Sequence, residues 1–278
     1  MPELPEVETV VRDLNKKVIG QTITAVWCDW PKMIRVNPAA AFARGLIGEK
    51  ILGARRKGKN ILIELTGGKI LLIHQKMTGH LLIGQWDIKK HYIHLILTLQ
   101  DGRMLALSDV RKFAKVILGR QEQIENLIDI AALGPDALDP LLKLSQFTSL
   151  IRAHGRKIKQ VLMDPQVIAG IGNIYGDDLL WQAKVHPEKR ANILKPAELK
   201  LIYMAMRRVL TKAVRLRGTS TSDFRDTAGK EGGYTGHLLV YRRTGKPCHR
   251  CSTPIKRTVI ASRSAHFCPS CQSAPKQI

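Results

Sequence analysis

The chain opens Met1-Pro2-Glu3-Leu4-Pro5-Glu6-Val7-Glu8-Thr9-Val10, and apolar residues then recur at Val7, Val10, Val11, Leu14 and Val18. Intervals of three and four place these side chains on one face, so an amphipathic helix is predicted from Glu3 to about Gly20. Short strand-like runs follow at 22–28, 61–65, 70–74, 93–99 and 104–107, with hairpin signals at Gly67-Gly68 and Asp101-Gly102. A helix followed by many short strands predicts a β-sandwich with that helix laid against it. Near Leu133-Gly134-Pro135 the pattern turns helical, at 144–153, 175–183 and 196–217. The last segment carries an apolar stripe at Leu199, Ile202, Met206, Val209, Leu210 and Ala213, with Pro196 in its first turn and Gly218 beyond its end. The glycine-rich stretch 228–236 reads as a mobile loop.

Composition narrows the partner. In 278 residues, 45 Lys and Arg face 23 Asp and Glu, for a net charge of +22. The excess runs through sequence patterned to fold, and past Glu231 there is no acidic residue at all. Arg242, Arg243, Lys246, Arg250, Lys256, Arg257, Arg263 and Lys276 all lie there. Such a chain attracts polyanions, and nucleic acid fits better than a membrane surface or ribosomal packing. No apolar run approaches the roughly 18 residues of a membrane span, and no secretory signal opens the sequence. A cytoplasmic location and no membrane partner are therefore expected.

Four of the five cysteines form two pairs, Cys248-x2-Cys251 and Cys268-x2-Cys271, sixteen residues apart. That spacing predicts one zinc ion held by four thiolates. Two disulfides would be the alternative, and a cytosolic chain argues against them. A closed tetrathiolate shell leaves no open coordination position, so the zinc is expected to be structural. His249 and His266 are read as solvated or facing a nucleic acid. Cys28 stands alone in a strand-like stretch and is read as a small buried hydrophobe.

The N-terminus suggests chemistry. Glutamates in a first turn can simply complement the helix dipole. A proline directly after Met1 suggests more, because methionine is commonly removed there and would leave a secondary amine. α-Amino groups titrate at about 7.7–8.0, so an appreciable neutral fraction is nucleophilic near neutral pH. Such an amine can attack a sugar C1′ and form a covalent iminium.

The opening ten residues resemble the start of bacterial formamidopyrimidine-DNA glycosylases. Later blocks follow in the same order: Ile73-His74-Gln75-Lys76-Met77, Asp109-Val110-Arg111-Lys112-Phe113, Gly170-Ile171-Gly172-Asn173-Ile174-Tyr175, and the finger ending His266-Phe267-Cys268-Pro269. Leu4 separates the chain from the related endonuclease VIII branch, which typically opens Pro-Glu-Gly. The resemblance implies an α+β multidomain fold. Its parts would be a catalytic β-sandwich with flanking helices (1–133), a helical helix-two-turns-helix domain (134–236) and a zinc-finger β-hairpin (237–278). It implies a bifunctional glycosylase/AP lyase of base excision repair acting as a monomer on double-stranded DNA, with 8-oxoguanine, formamidopyrimidines and abasic sites as targets.

Site roles follow from the same resemblance. Pro2 would be the nucleophile, Glu3 the general acid/base and Glu6 a supporting carboxylate. Lys59 would contact phosphate and assist elimination, with Lys57 the alternative because this segment is one residue longer than usual. Arg263 would grip phosphates in the δ-elimination step. Asn173 and Lys159 would contact the DNA backbone, and Met77, Arg111 and Phe113 would fill the void left by a flipped base. His74, His91 and His94 are assigned to DNA contacts, and Asp178 to support of the N-terminal amine. Departures from the family pattern fall at His91-Tyr92-Ile93-His94, Asp177-Asp178, Gln160 and Ser264-Ala265, and they bear on base preference more than on reaction type. An endonuclease VIII-like preference for oxidised pyrimidines or hydantoins, and a non-catalytic damage-binding protein, are the competing readings.

Overall fold

The computed structural model describes residues 2–274. Helix α1 (Leu4–Lys17) begins with a capping box, in which the Glu3 side chain accepts from a first-turn amide while Glu6 accepts from the Glu3 amide. Its buried face contains Val7, Val10, Val11 and Leu14, as the spacing predicts. Next come β1 (Ile23–Cys28), α2 (Ala39–Leu46), β2 (Ile51–Lys57), β3 (Asn60–Leu65), β4 (Lys69–His74) and β5 (Gly79–Gly84). Then follow β6 (Ile93–Leu99), β7 (Met104–Asp109), β8 (Lys115–Arg120) and the short helices α3 (Gln121–Glu125) and α4 (Ile128–Ala131). The strands pair into two four-stranded antiparallel sheets, ordered β1-β6-β7-β5 and β2-β3-β4-β8.

Alternate residues of these strands meet in one core: Ile61, Ile63, Leu71, Ile73, Leu81, Leu95, Leu97, Leu105, Leu107 and Val116 pack with the valines of α1. Burial of each such side chain contributes about 1.5–3 kcal/mol, so the helix is fixed to the sandwich by its stripe. Asn15 adds a polar tie, exchanging two 2.8 Å hydrogen bonds with the backbone of Ala54 on β2.

The helical part contains α5 (Leu144–Arg152), α6 (Ile158–Met163), α7 (Asn173–Gln182) and α8 (Pro196–Arg215), followed by the hairpin β9 (Lys256–Ile260) and β10 (Arg263–Phe267). The chain divides into two compact units, Met1–Ala132 with Leu216–Thr235, and Leu133–Arg215 with Gly236–Ile278. This differs from the division expected at 134–236 and 237–278. The segment after α8 belongs to the sandwich unit because Phe224 enters the sandwich core and Ile83 of β5 donates to the Thr227 carbonyl at 2.8 Å. Its glycine-rich part, expected as a mobile loop, is tied down by Gly233 N to Leu216 O at 2.8 Å and Tyr234 N to Gly218 O at 2.9 Å. Among the described residues, no helix is long and apolar enough to cross a membrane.

Candidate active site and nucleic-acid interface

In the sandwich unit, Pro2, Glu3 and Glu6 are all buried at the start of α1. Glu6 spends one carboxylate oxygen on the Glu3 amide (2.7 Å) and the other on the Thr219 amide (2.8 Å). Fixing both oxygens fixes the backbone that carries Pro2 and Glu3.

Lys59 sits in the two-residue turn between β2 and β3, where Lys57 pairs with Asn60 and Gly58 takes the left-handed conformation, φ +60°. Arg56 donates to Glu8 of α1 at 3.1 Å and to the Gly58 carbonyl at 2.9 Å, so the turn is tied to the first turns of the helix. Lys57 ends the strand and Lys59 occupies the turn itself. The Lys59 charge reaches His74 at the end of β4: burial first, then Lys76, Lys115 and Lys59, push this imidazole down to about 3. His74 is therefore neutral near pH 7 and can exchange hydrogen bonds without carrying charge. Its Nδ1 accepts from the Lys76 amide at 2.9 Å.

Two turns carry the predicted void-filling residues, and one buried carboxylate locks them together. Asp109 accepts from Thr78 Oγ1 (2.5 Å), Ala114 N (2.7 Å) and Arg111 N (3.2 Å). On this scaffold Met77 is 38% and Phe113 51% exposed, and the Arg111 guanidinium lies 4.6 Å over the Phe113 ring. Large apolar side chains held in solvent by a rigid turn suit insertion into a base stack. Asp109 lies in one of the resembling blocks, yet its role was not legible without its partner Thr78, which is 31 residues away.

His91 and His94 each have a neighbour that the sequence did not announce. His91 packs edge-on against Trp86 with centroids 5.0 Å apart. His94 is 7% exposed, and its Nδ1 lies 2.8 Å from Asp29. The apolar β6 strand draws His94 inward, so the expected DNA contact falls on a buried side chain.

In the second unit, Lys159 also differs from expectation. It is 1% exposed, and Nζ donates to Asp177 Oδ1 and to the Ser264 carbonyl, each at 2.5 Å. Asp177 accepts in addition from His266 N at 2.9 Å, with His266 Nδ1 at 2.8 Å. His266 is thus buried and paired, neither solvated nor free to face DNA. Asp178 accepts from the amides of Leu239, Val240 and Tyr241 at 3.0–3.3 Å. Burial outweighs these amides and pushes its pKa up to about 6. Asp177 thus fixes β10, and Asp178 accepts the amides of the chain entering the cysteine hairpin.

Arg263 is exposed at the first position of β10, next to Ser264, which Lys159 and the Asn173 amide nitrogen (3.3 Å) both hold. Asn173 Oδ1 is buried with no hydrogen-bond partner at the N-terminus of α7. Arg263 and Asn173 are therefore brought together through Ser264.

The sulfurs of Cys248, Cys251, Cys268 and Cys271 all lie within 4.8 Å of one another, with separations of 3.4, 3.5 and 3.9 Å. Tetrahedral zinc with bonds of about 2.3 Å requires sulfurs about 3.8 Å apart. Amides of Arg250 and Cys271 and the Trp181 indole donate to these sulfurs at 3.3–3.4 Å, as thiolates require. The set fits one structural zinc ion. Gln272, which the spacing gave no reason to single out, is buried and joins Cys268 N to the Val185 carbonyl at 2.9 Å each.

Comparison with known proteins agrees with this architecture. Residues 1–116 match the family model for the formamidopyrimidine-DNA glycosylase N-terminal domain, 133–225 that for its H2TH domain, and 245–274 that for the zinc finger found in FPG and IleRS. The formamidopyrimidine-DNA glycosylase of Enterococcus faecalis is 40% identical over 274 residues, covering 98% of this chain and 97% of that protein. A Lactococcus lactis FPG mutant bound to a Fapy-dG-containing DNA superposes with a TM-score of 0.91 at 33% identity, over 98% of this chain and 100% of that one. The wild-type Lactococcus lactis protein bound to DNA containing an oxidised pyrimidine superposes at 0.90 and 34%, with the same coverage. A capped N-terminal helix on a β-sandwich, a helical unit and a tetrathiolate hairpin thus occur in the same order, over nearly the full length, in proteins of one kind, and the chain belongs to the formamidopyrimidine-DNA glycosylase family.

Proposed function

We propose that this chain excises oxidised purines, 8-oxoguanine and formamidopyrimidines, from double-stranded DNA and then cleaves the strand. The observation that carries the reading is the Glu6 carboxylate, which bridges the Glu3 and Thr219 amides and so holds Pro2 and Glu3 in a fixed, buried segment. The Pro2 amine attacks C1′ as the base departs, and Glu3 protonates the sugar oxygen as the ring opens. The resulting iminium acidifies the C2′ hydrogen, so β-elimination expels the 3′ phosphate and δ-elimination the 5′ phosphate. Lys59 and Arg263 stabilise the departing negative charge. Met77, Arg111 and Phe113 occupy the vacated stack, with Arg111 hydrogen-bonding the orphaned base. His74, Asn173 and His91 contact the backbone. Lys159 and Asp178 act indirectly, by holding Arg263 and the zinc hairpin in place. The work is cytoplasmic, at the nucleoid.

Met1 lies outside the described residues, and the mechanism requires its removal, since a retained methionine would leave the Pro2 nitrogen a tertiary amide. Borohydride reduction with an 8-oxoguanine·cytosine duplex tests the enzyme reading: a covalent protein–DNA complex is expected, and none forming would overturn it. The Lactococcus complex with an oxidised pyrimidine favours keeping a second reading, preference for pyrimidine lesions. Faster cutting of a thymine glycol duplex would select it.

A further inference from the structure

Helix α1 buries two carboxylates seven residues apart, Glu6 (1% exposed) and Asp13 (4% exposed). Seven residues is close to two helical turns, so both fall on the same side of the helix. Buried carboxylates are retained only when charge and hydrogen bonds offset their lost hydration. Both draw these partners from the segment Leu216–Thr235. Glu6 takes the Thr219 amide. Asp13 Oδ2 takes Arg217 Nη2 at 2.6 Å and Thr227 Oγ1 at 2.7 Å, with Lys17 Nζ at 3.8 Å. Arg217 also donates to Asp226 from Nε (3.0 Å) and Nη2 (2.8 Å), and Asp226 caps the amides of Ala228 and Lys230 at 2.9 Å. One guanidinium therefore fastens both ends of the 217–226 excursion to α1, and the Thr219 amide is only two residues from it.

We propose that Asp13 and Arg217 are positioning residues for the catalytic segment, acting through Thr219 and Glu6. The connection runs Asp13, Arg217, the Thr219 amide, Glu6 and the Glu3 amide, each step a hydrogen bond or a short stretch of chain. The Thr219 amide on one Glu6 oxygen helps hold the other oxygen against the Glu3 amide. Release of Arg217 lets Thr219 withdraw, Glu6 rotates, and Pro2 and Glu3 lose alignment with C1′. The inference rests on the proposed roles of Pro2 and Glu3. A merely structural ion pair would change stability and leave the chemical step alone.

The test uses full-length, zinc-loaded protein carrying Asp13→Asn or Arg217→Lys, which keep size or charge but lose the paired geometry. Single-turnover borohydride trapping at saturating lesion duplex gives the chemical step, and binding to a duplex with a non-cleavable abasic analogue gives affinity. Trapping should slow by about ten- to a hundredfold, the effect expected of small misplacements at a distance. Affinity should change less than about twofold. Asp13→Asn added to Glu6→Gln should slow trapping no further than Glu6→Gln alone, because one connection is already broken. Asp13→Glu should recover part of the rate. Wild-type trapping by either folded variant, affinity falling in step with rate, or multiplicative loss with Glu6→Gln would overturn the proposal. Should Asp13→Asn fail to fold, Arg217→Lys decides alone. Absence of trapping in the unsubstituted protein would instead refute the catalytic reading.

Discussion

Gly218→Ala isolates the contact between Glu6 and the segment after α8. Gly218 has φ +78°, and a Cβ there would lie 2.6 Å from Glu6 Oε1, 2.8 Å from Cγ and 3.0 Å from Cδ. Gly20 supplies the matched control, with φ +82° and nothing within 4 Å of its virtual Cβ. Both substitutions force alanine into left-handed backbone, at about 1–2 kcal/mol each. Only Gly218→Ala also expels the carboxylate. Loss of one charge-assisted hydrogen bond, from Thr219 or Glu3, adds about 1.5–3 kcal/mol, and loss of both about twice that. Steric displacement therefore dominates conformational strain at position 218, and strain acts alone at position 20. Urea unfolding of the two variants should differ by at least about 1.5 kcal/mol with similar m-values. Lesion excision should fall in Gly218→Ala and stay near wild type in Gly20→Ala. Equal destabilisation within about 0.5 kcal/mol would refute the argument that Glu6 is held where the structure puts it.

Replacing the buried Cys268 by serine should abolish stoichiometric zinc, melt the β9–β10 hairpin and displace Arg263. DNA affinity at physiological salt should drop, and unchanged affinity would contradict the role given to the finger. Burial pushes His74 down to about 3 and His80 to about 4. Their folded pKa values lie below the unfolded one, so their contribution to stability is complete above about pH 6.5 and is lost as pH falls toward the folded values. Each should give a slope approaching about 1.4 kcal/mol per pH unit between pH 6 and pH 4, flattened for one of them by His80→Asn. A pH-independent unfolding free energy over that range would sink the assignment. Gln75 is buried with neither amide atom hydrogen-bonded. Gln75→Leu should therefore stabilise the fold by about 1 kcal/mol or more, and a lowered thermal midpoint would show that the amide has a partner.

Much of the fold was legible where periodicity was strong. The α1 stripe, strands β3, β4 and β6 and the cysteine spacing were all readable, because each depends on residues close in sequence. Strands β2, β5 and β8 were not. β2 reads Ile-Leu-Gly-Ala-Arg-Arg-Lys with polar residues in succession, and β5 is bounded by glycine at both ends, so neither shows period-two alternation. The return of 216–235 to the sandwich was hidden because it depends on Asp13 and Arg217, which are 204 residues apart. At the site, residues inside resembling blocks could be named, but their surroundings could not. Lys159 reads as a free cation until Asp177 is placed beside it, and nothing near His94 in the sequence announces Asp29 beside its ring nitrogen. A buried ion pair between distant residues leaves no local pattern.

The central claim is that the amine of Pro2 forms the covalent intermediate. Reduce the protein with borohydride on an 8-oxoguanine·cytosine duplex, digest it, and locate the adduct by peptide mass spectrometry alongside the intact mass of the free protein. The account predicts an intact mass lacking Met1 and the DNA remnant on the peptide beginning at Pro2. Efficient trapping with Met1 retained, or an adduct mapped to Lys59, would contradict it.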